Sequence, residues 1–374
     1  MLNCGGVQMI KFIHTGDLHL GLQFKDVSFS REKAMERRLE LWNTFERIIK
    51  MAIEEKVDFL FIAGDLFEEK YFTLGDIKRV RDTLKEAKNV EIIIVAGNHD
   101  TLNAKSLYRM IDWPKNISLF NAEGLGKKEF PDKDAIIYGY SWDKGEINND
   151  IFEGFQGINR DKTNILIIHG DIFNKESPYL PLDKNYINSI GFDYIGLGHI
   201  HKPTILSDNM AYCGSPEPLD FGEIGEHGII EGLIKDNRTK INFLPFSNRM
   251  FLEKTINIDQ TNGYVDIMNN IRQADRKDNL KRNLYRIKLE GTLHRDIDLN
   301  LEDMIKSLEG EFYYIDLIDN TIMDYDLNRL EKENQNNIIG YFIKEMKDKD
   351  LEDQVIRQAL YIGLDALIEG KVEL

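Results

Sequence analysis

The sequence predicts an α/β protein: a two-sheet sandwich followed by a smaller α/β unit and a helical segment. Three observations carry this reading. Apolar, β-branched runs recur through the first half of the chain, helical periodicities separate the earliest of them, and polar motifs rich in histidine and aspartate stand where the runs end.

The runs at 10–13, 59–63, 91–96, 135–140, 164–168 and 194–197 are apolar at consecutive positions, as strands buried on both faces require. Between the first two, Met35, Leu39, Trp42, Phe45, Ile49 and Ala52 recur at helical spacing within 32–55, and a second helix is expected over 77–87. Alternation of this kind implies right-handed crossovers with helices covering the sheet faces. After about residue 190 the connections shorten. Strands at 204–206, 210–213, 228–234 and 241–245 read as the second half of the sandwich. From residue 251, strands at 254–258, 284–289 and 312–317 alternate with helices at 265–274 and 301–308 and suit a small α/β unit. Beyond 326 the pattern is helical, with Leu351, Val355, Ala359, Ile362 and Ala366 every three or four residues. The expected domains are therefore 9–250, 251–325 and 326–374; residues 1–8 lack pattern and read as an alternative start.

Cys4 and Cys213 lie far apart and suit a reducing compartment better than a disulfide framework. With no visible signal peptide and no apolar run near the roughly 20 residues of a membrane span, a cytoplasmic protein without membrane contact is expected. The net charge of -16 weighs against nucleic-acid binding, because phosphate contacts need lysine and arginine. Basic residues nevertheless cluster locally. Arg31, Lys33, Arg37 and Arg38 form one group and Arg276, Lys277, Lys281, Arg282, Arg286 and Lys288 another, each interleaved with acids as a solvated surface would be.

Histidine placement carries the chemistry. GDLH brings Asp17 and His19, IAGDLF brings Asp65, GNHD brings Asn98 and His99, IIHG brings His169, and GHIH brings His199 and His201. Any one of these alone is more often a turn or a helix cap. Seven suitable ligands at strand ends in one chain call for a shared ligand, since open α/β sheets bind at the carboxyl ends of their strands. Two divalent cations roughly 3.5 to 4 Å apart can clamp a phosphate and acidify a water between them so that it attacks as hydroxide. Asp65, the lone aspartate at its strand end, is the natural bridge, and the alternation in His199-Ile200-His201 lets one imidazole serve each ion. Nitrogen and oxygen donors without thiolate suit manganese, iron or zinc better than calcium. His99 is then left over as an acid for the leaving oxygen, and Glu68, three residues after Asp65, could orient it.

Taken in order, these motifs resemble those of the calcineurin-like metallophosphoesterases. More narrowly, FIHTGDLHLG, IAGDLF, VAGNHD, LGHIHKP and GSPEPLDFGE resemble the SbcD-type DNA-repair nucleases, subunits that pair with an SMC-like coiled-coil ATPase. The resemblance is strong over residues 9–235. It implies a four-layer α/β/β/α phosphoesterase core, a small α/β cap that helps recognise DNA and a C-terminal helical segment that docks on the ATPase. It also implies one ion on Asp17, His19, Asp65 and His201, a second on Asp65, Asn98, His169 and His199, and His99 as the catalytic histidine. Position 68 departs from the pattern, holding glutamate where the nucleases often have histidine.

The expected function is a manganese-dependent DNA exonuclease, with endonuclease action as a second mode and iron or zinc as alternative metals. Arg31, Lys33, Arg37 and Arg38 are its candidate DNA contacts. A phosphodiesterase or phosphatase for a small nucleotide is the alternative, needing neither cap nor partner helix. A metal-stabilised scaffold is a third reading, against which the retention of His99 argues. Apolar residues of the tail, including Ile338, Ile339, Phe342, Met346, Val355, Ile356, Leu360 and Leu364, are expected to dock on the ATPase or pair with a second copy of the chain.

Overall fold

The structure, a computed structural model, describes residues 9–25, 28–148, 150–236, 238–294, 297–325, 327–351 and 353–368. Residues 1–8, with Cys4, and residue 326 lie outside them. The chain divides into two compact units, Met1–Met250 and Phe251–Leu374.

The first unit contains β1 (Met9–Thr15), α1 (Arg31–Glu54), β2 (Phe59–Ala63), α2 (Leu74–Leu84), β3 (Glu91–Val95), β4 (Ile117–Leu119), β5 (Gly126–Phe130) and β6 (Ala135–Tyr140). It continues with β7 (Thr163–His169), α3 (Lys184–Ile190), β8 (Tyr194–Gly198), β9 (Thr204–Ser207), β10 (Met210–Tyr212), β11 (Gly228–Lys235) and β12 (Arg238–Pro245). Two six-stranded sheets result, in the orders β12-β11-β1-β2-β3-β4 and β5-β6-β7-β8-β10-β9. Both are mixed. β1 to β4 run parallel, with β11 antiparallel to β1, while β6, β7, β8 and β10 run parallel between antiparallel β5 and β9.

Strand alternation sorts the side chains into three cores. Phe12, Phe59, Phe61, Ile93 and Val95 of the first sheet meet Ala135, Ile137, Ile165, Ile167 and Tyr194 of the second between the sheets. The intervening residues Ile13, Leu60, Ile62, Ile92 and Ile94 face α1 and α2. On the far side of the second sheet, Ile136, Tyr138, Leu166, Ile168, Ile195 and Leu197 are covered by Ile187 of α3 and by Trp142, Phe152, Leu180 and Leu182 from loops. The outer layer there is one seven-residue helix plus aromatic loop segments.

Three expectations are corrected. The late strands do not stay together: β9 and β10 extend the second sheet, whereas β11 and β12 return to the first sheet beside β1. Short β4 and β5 carry too little apolar pattern to announce themselves, yet they close the other edges. On α1, Trp42, Phe45, Ile49 and Ala52 are buried as expected, but Met35 and Leu39 are half-exposed or more, because the first two turns bury Arg37 and Leu41 in their place. Arg37 is fully buried and so is not a surface DNA contact: it pairs with Glu40 and Glu217 and donates to the Pro218 carbonyl at 2.8 Å. Arg31 is exposed, Lys33 is half-buried, and Arg38, also half-buried, donates to Gln23 at 3.0 Å.

In the second unit β13 (Phe251–Ile258), β14 (Leu284–His294) and β15 (Tyr314–Asp324) form a parallel sheet, joined through α4 (Tyr264–Arg272), α5 (Lys277–Arg282) and α6 (Leu301–Ser307). Ile267, Ile271, Leu280, Tyr285, Ile287, Leu289, Met304 and Leu308 fill its core. Of the second basic group, Arg286 pairs with Asp316 and Lys288 with Glu253, as sheet-surface charges do. Three helices follow: α7 (Leu327–Glu333), α8 (Ile338–Lys347) and α9 (Gln354–Ile368). They bury part of their own apolar surface, since Ile343, Leu360 and Leu364 are core and Ile339, Phe342 and Met346 pack on them. Ile338, Tyr341, Val355 and Ile368 stay exposed. Among the described residues no helix is long and apolar enough to cross a membrane.

Candidate metal centre

The expected ligands converge at the carboxyl ends of the parallel strands. Asp17 and His19 follow β1, Asp65 follows β2, Asn98 and His99 follow β3, His169 ends β7, and His199 and His201 follow β8. Backbone hydrogen bonds fasten the first two loops together: Asp17 N–H to the Gly64 carbonyl and His19 N–H to the Asp65 carbonyl, both at 3.0 Å. Asp17, His19, Asp65 and His199 all have left-handed backbone, with φ of 47°, 44°, 49° and 98°. Such conformations cost roughly 1–3 kcal/mol each for residues other than glycine, and they persist where the surroundings over-determine them.

Ligand atoms gather in three overlapping groups, each within 4.8 Å: Asp17, His19 and His201; His19, Asp65 and His99; Asp17, Asp65 and His169. Asp65 and Asp17 each belong to two of them, and both are buried. His169 Nε2 lies 2.9 Å from Asn98 Oδ1 and 3.3 Å from Asp65 Oδ2, while its Nδ1 faces the Ala63 carbonyl at 2.9 Å. His199 stands outside these groups: its ring is 5.2 Å from that of His169 and 5.0 Å from Tyr179, and its backbone N–H donates to Asp17 at 3.0 Å. The half-exposed His99 donates from Nδ1 to Glu68 Oε2 at 3.1 Å. Glu68 turns its other oxygen to His19 Nδ1 at 2.6 Å, so one carboxylate holds both imidazoles.

Electrostatics follow from this crowding. Burial opposes ionisation of Asp65, but His169, His19 and His99 outweigh it and hold the carboxyl below its ordinary range. For Asp17 burial wins, and its pKa is raised. Burial also works against charging Glu68, yet its bonds from His19 and His99 bring it down to about 2. The bond to Glu68 raises His99. Burial would lower His169 and His201, but the surrounding carboxylates push both up to about 9, whereas burial takes His199 down to about 4. A buried carboxylate cluster that recruits protons onto neighbouring imidazoles is one that calls for cations. The space agrees, since a Cβ on Gly97 would collide with the Asp65 carboxylate. Carboxylate, imidazole and amide donors at this spacing fit two divalent ions.

Two residues in this region escaped the sequence reading. Asp100 accepts from Leu66 N–H at 2.7 Å, Gly97 N–H at 2.6 Å and Tyr108 O–H at 2.6 Å, stapling the second loop to the third; burial pushes its pKa up to about 6. Its place in GNHD was visible, but nothing in that motif separates a staple from a ligand. Glu223 meets His201 Nδ1 at 2.5 Å across 22 residues of sequence, a pairing that no local spacing announces.

A two-sheet α/β fold with an aspartate and histidine cluster at its strand ends defines a metal-dependent phosphoesterase, a class in which two divalent ions are typical. The calcineurin-like phosphoesterase family profile matches residues 10–203, just over half of the chain, and the protein belongs to that family. Among its relatives, the uncharacterised metallophosphoesterase YhaO of Bacillus subtilis is 29% identical over 231 residues, covering 59% of this chain and 56% of YhaO. The chain thus spans little more than half of that relative's length. The DNA double-strand break repair protein Mre11 of Sulfurisphaera tokodaii is 27% identical over 75% of this chain and 73% of its own length. The Mre11 protein of Saccharolobus solfataricus is 24% identical, with 83% and 78% covered.

Proposed function

We propose that this phosphoesterase acts on DNA, as an exonuclease of double-strand-break repair with endonuclease action as a second mode. The observation that carries the substrate is the reach of the likeness to Mre11 proteins. At 75% and 83% of the chain it exceeds what the first unit, residues 1–250, supplies, and so runs on into the second.

In this reading Asp17, His19, Asp65 and His201 hold one ion and Asp65, Asn98, His169 and His199 the other, with manganese the expected metal and iron or zinc the alternatives. Bound there, the ions would polarise the phosphodiester and acidify water. The protein's own groups do the rest. His99, exposed at the rim and held by Glu68, delivers a proton to the leaving oxygen, and Glu68 keeps its imidazole aimed and charged. Arg31, Lys33 and Arg38 remain as DNA contacts once Arg37 is assigned to the core. The second unit divides into the cap, 251–325, and a helical segment from 326 onward. Exposed Ile338, Tyr341 and Val355 offer an SMC-like ATPase a docking face, with a second copy of the chain as the alternative partner.

A small nucleotide is the competing substrate, favoured by the net charge of -16 and by the loss of Arg37 from the basic surface. Manganese-dependent digestion of end-labelled linear DNA, run beside bis-p-nitrophenyl phosphate, separates the two. Degradation of DNA supports the nuclease; hydrolysis of the small diester alone supports its competitor.

A further inference from the structure

The segment GSPEPLDFGE, residues 214–223, lies beyond the matched profile and contributes no ligand to the centre, yet its last residue reaches it. Glu223 is almost buried, its side chain 12% exposed, and its Oε1 accepts from His201 Nδ1 at 2.5 Å. Oε2 is fully engaged as well, accepting from Ser215 O–H and from Leu219 N–H, each at 2.9 Å. The start of the segment is tied to the same histidine. Ser215 N–H donates to the His201 carbonyl at 2.9 Å, and Gly214 makes the turn with φ of +72°, where a Cβ would strike that carbonyl. The loop therefore grips His201 by both backbone and ring.

The consequence lies at the other ring nitrogen. A carboxylate on Nδ1 fixes the proton there, leaving the Nε2 lone pair free and more basic. His201 Nε2 points to within 3.1 Å of His19 Nε2, and the Nδ1 of His19 is held in the same way by Glu68. Two imidazoles that both turn Nε2 toward one point, each with Nδ1 committed to a glutamate, are arranged to share a cation rather than to bond each other. No covalent chemistry is asked of Glu223.

We propose that Glu223 is a positioning residue for the metal centre: it sets the tautomer and orientation of His201, and GSPEPLDFGE is the loop that holds Glu223 in place. This rests on the two-metal reading above. It places one of the two carboxylates that hold the Nδ1 atoms of His19 and His201 in a segment that supplies no ligand of its own.

The test uses the full-length protein and manganese alone. Binding is measured by calorimetry for the wild type, Glu223→Gln, Glu223→Asp and Ser215→Ala, beside thermal unfolding of each in chelator. Outer carboxylates on metal-bound histidines typically contribute 10- to 100-fold in affinity. The expected result is a loss of that order at one of two sites in Glu223→Gln, a partial recovery in Glu223→Asp, a smaller loss in Ser215→Ala, and little change in metal-free melting. A Glu223→Gln protein that binds manganese like the wild type overturns the proposal. So does one whose weakened binding is matched by an equal loss of metal-free stability, which marks Glu223 as a loop brace. Should Glu223→Gln fail to fold, the zinc-loaded wild type decides: nitrogen NMR must show His201 protonated at Nδ1, and protonation at Nε2 refutes the assignment. Failure of the wild type to bind manganese would instead overturn the two-metal reading itself.

Discussion

His19 and His201 on one side of the centre are oriented by carboxylates, whereas His169 and His199 on the other are oriented by the main chain and by packing. Glu68 and Glu223 sit on the Nδ1 atoms of the first pair. On the second, His169 Nδ1 bonds the Ala63 carbonyl, and His199 rests beside the Tyr179 ring. A carbonyl fixes a tautomer as well as a carboxylate does, but it adds no charge. The first pair therefore has a charged group behind each ring where the second has none, and in the two-ion reading the His19 and His201 side should be the tighter one.

The largest effect expected is from metal removal. Chelation should abolish phosphodiester hydrolysis, and a manganese titration should restore it in two steps, the tight side filling first; restoration in a single step would erase the contrast. Next comes His99→Ala, expected to lower turnover of a diester roughly 100- to 10,000-fold while metal content stays at the wild-type level. Loss of an ion in that variant would make His99 a ligand of the first side, where its ring nitrogen already lies with His19 and Asp65. A paired comparison sharpens the contrast further. His201→Gln should weaken manganese binding more than His199→Gln does, and the reverse order would place the tighter ion on the second side.

Stability and docking give effects that leave the chemistry alone. Arg37→Met leaves the buried Glu217 carboxylate without its cation, while Glu40 keeps Arg249, and breaking a buried pair of this kind costs about 3–5 kcal/mol. Urea unfolding should show that loss, and an unchanged midpoint would remove Arg37 from the core network. The smallest catalytic effect is expected from Tyr341→Glu combined with Val355→Glu, which should leave diester hydrolysis untouched and abolish capture of a coiled-coil ATPase. Retained capture would refute docking through those helices.

The cluster of aspartates and histidines was legible because its members follow apolar runs long enough to be recognised as strands, and GDLH, GNHD and GHIH each place polar groups directly at a strand end. Histidine alone was no guide. His14 stands in the same FIHTGDLH stretch as His19, yet it is a core residue, fully buried with Nδ1 2.7 Å from Tyr194 O–H; burial takes its pKa down to about 3. Helix phase was harder to read. Arg37 looks like surface and Leu39 like core, and the structure exchanges them because Glu217, 180 residues away, completes a pair for the arginine. The same limit hid Glu223 and the return of β11 and β12 to the first sheet. Each depends on a partner distant in sequence, and periodicity reports only on local geometry.

The decisive measurement is the manganese content of purified Asp65→Ala, set beside its hydrolysis of bis-p-nitrophenyl phosphate, because the two-ion reading makes Asp65 the bridge and its carboxylate lies with both His19 and His169. The two-ion account expects two equivalents in the wild type, at most one in the variant, and no activity above background. A variant that retains two equivalents and turns over substrate would contradict it.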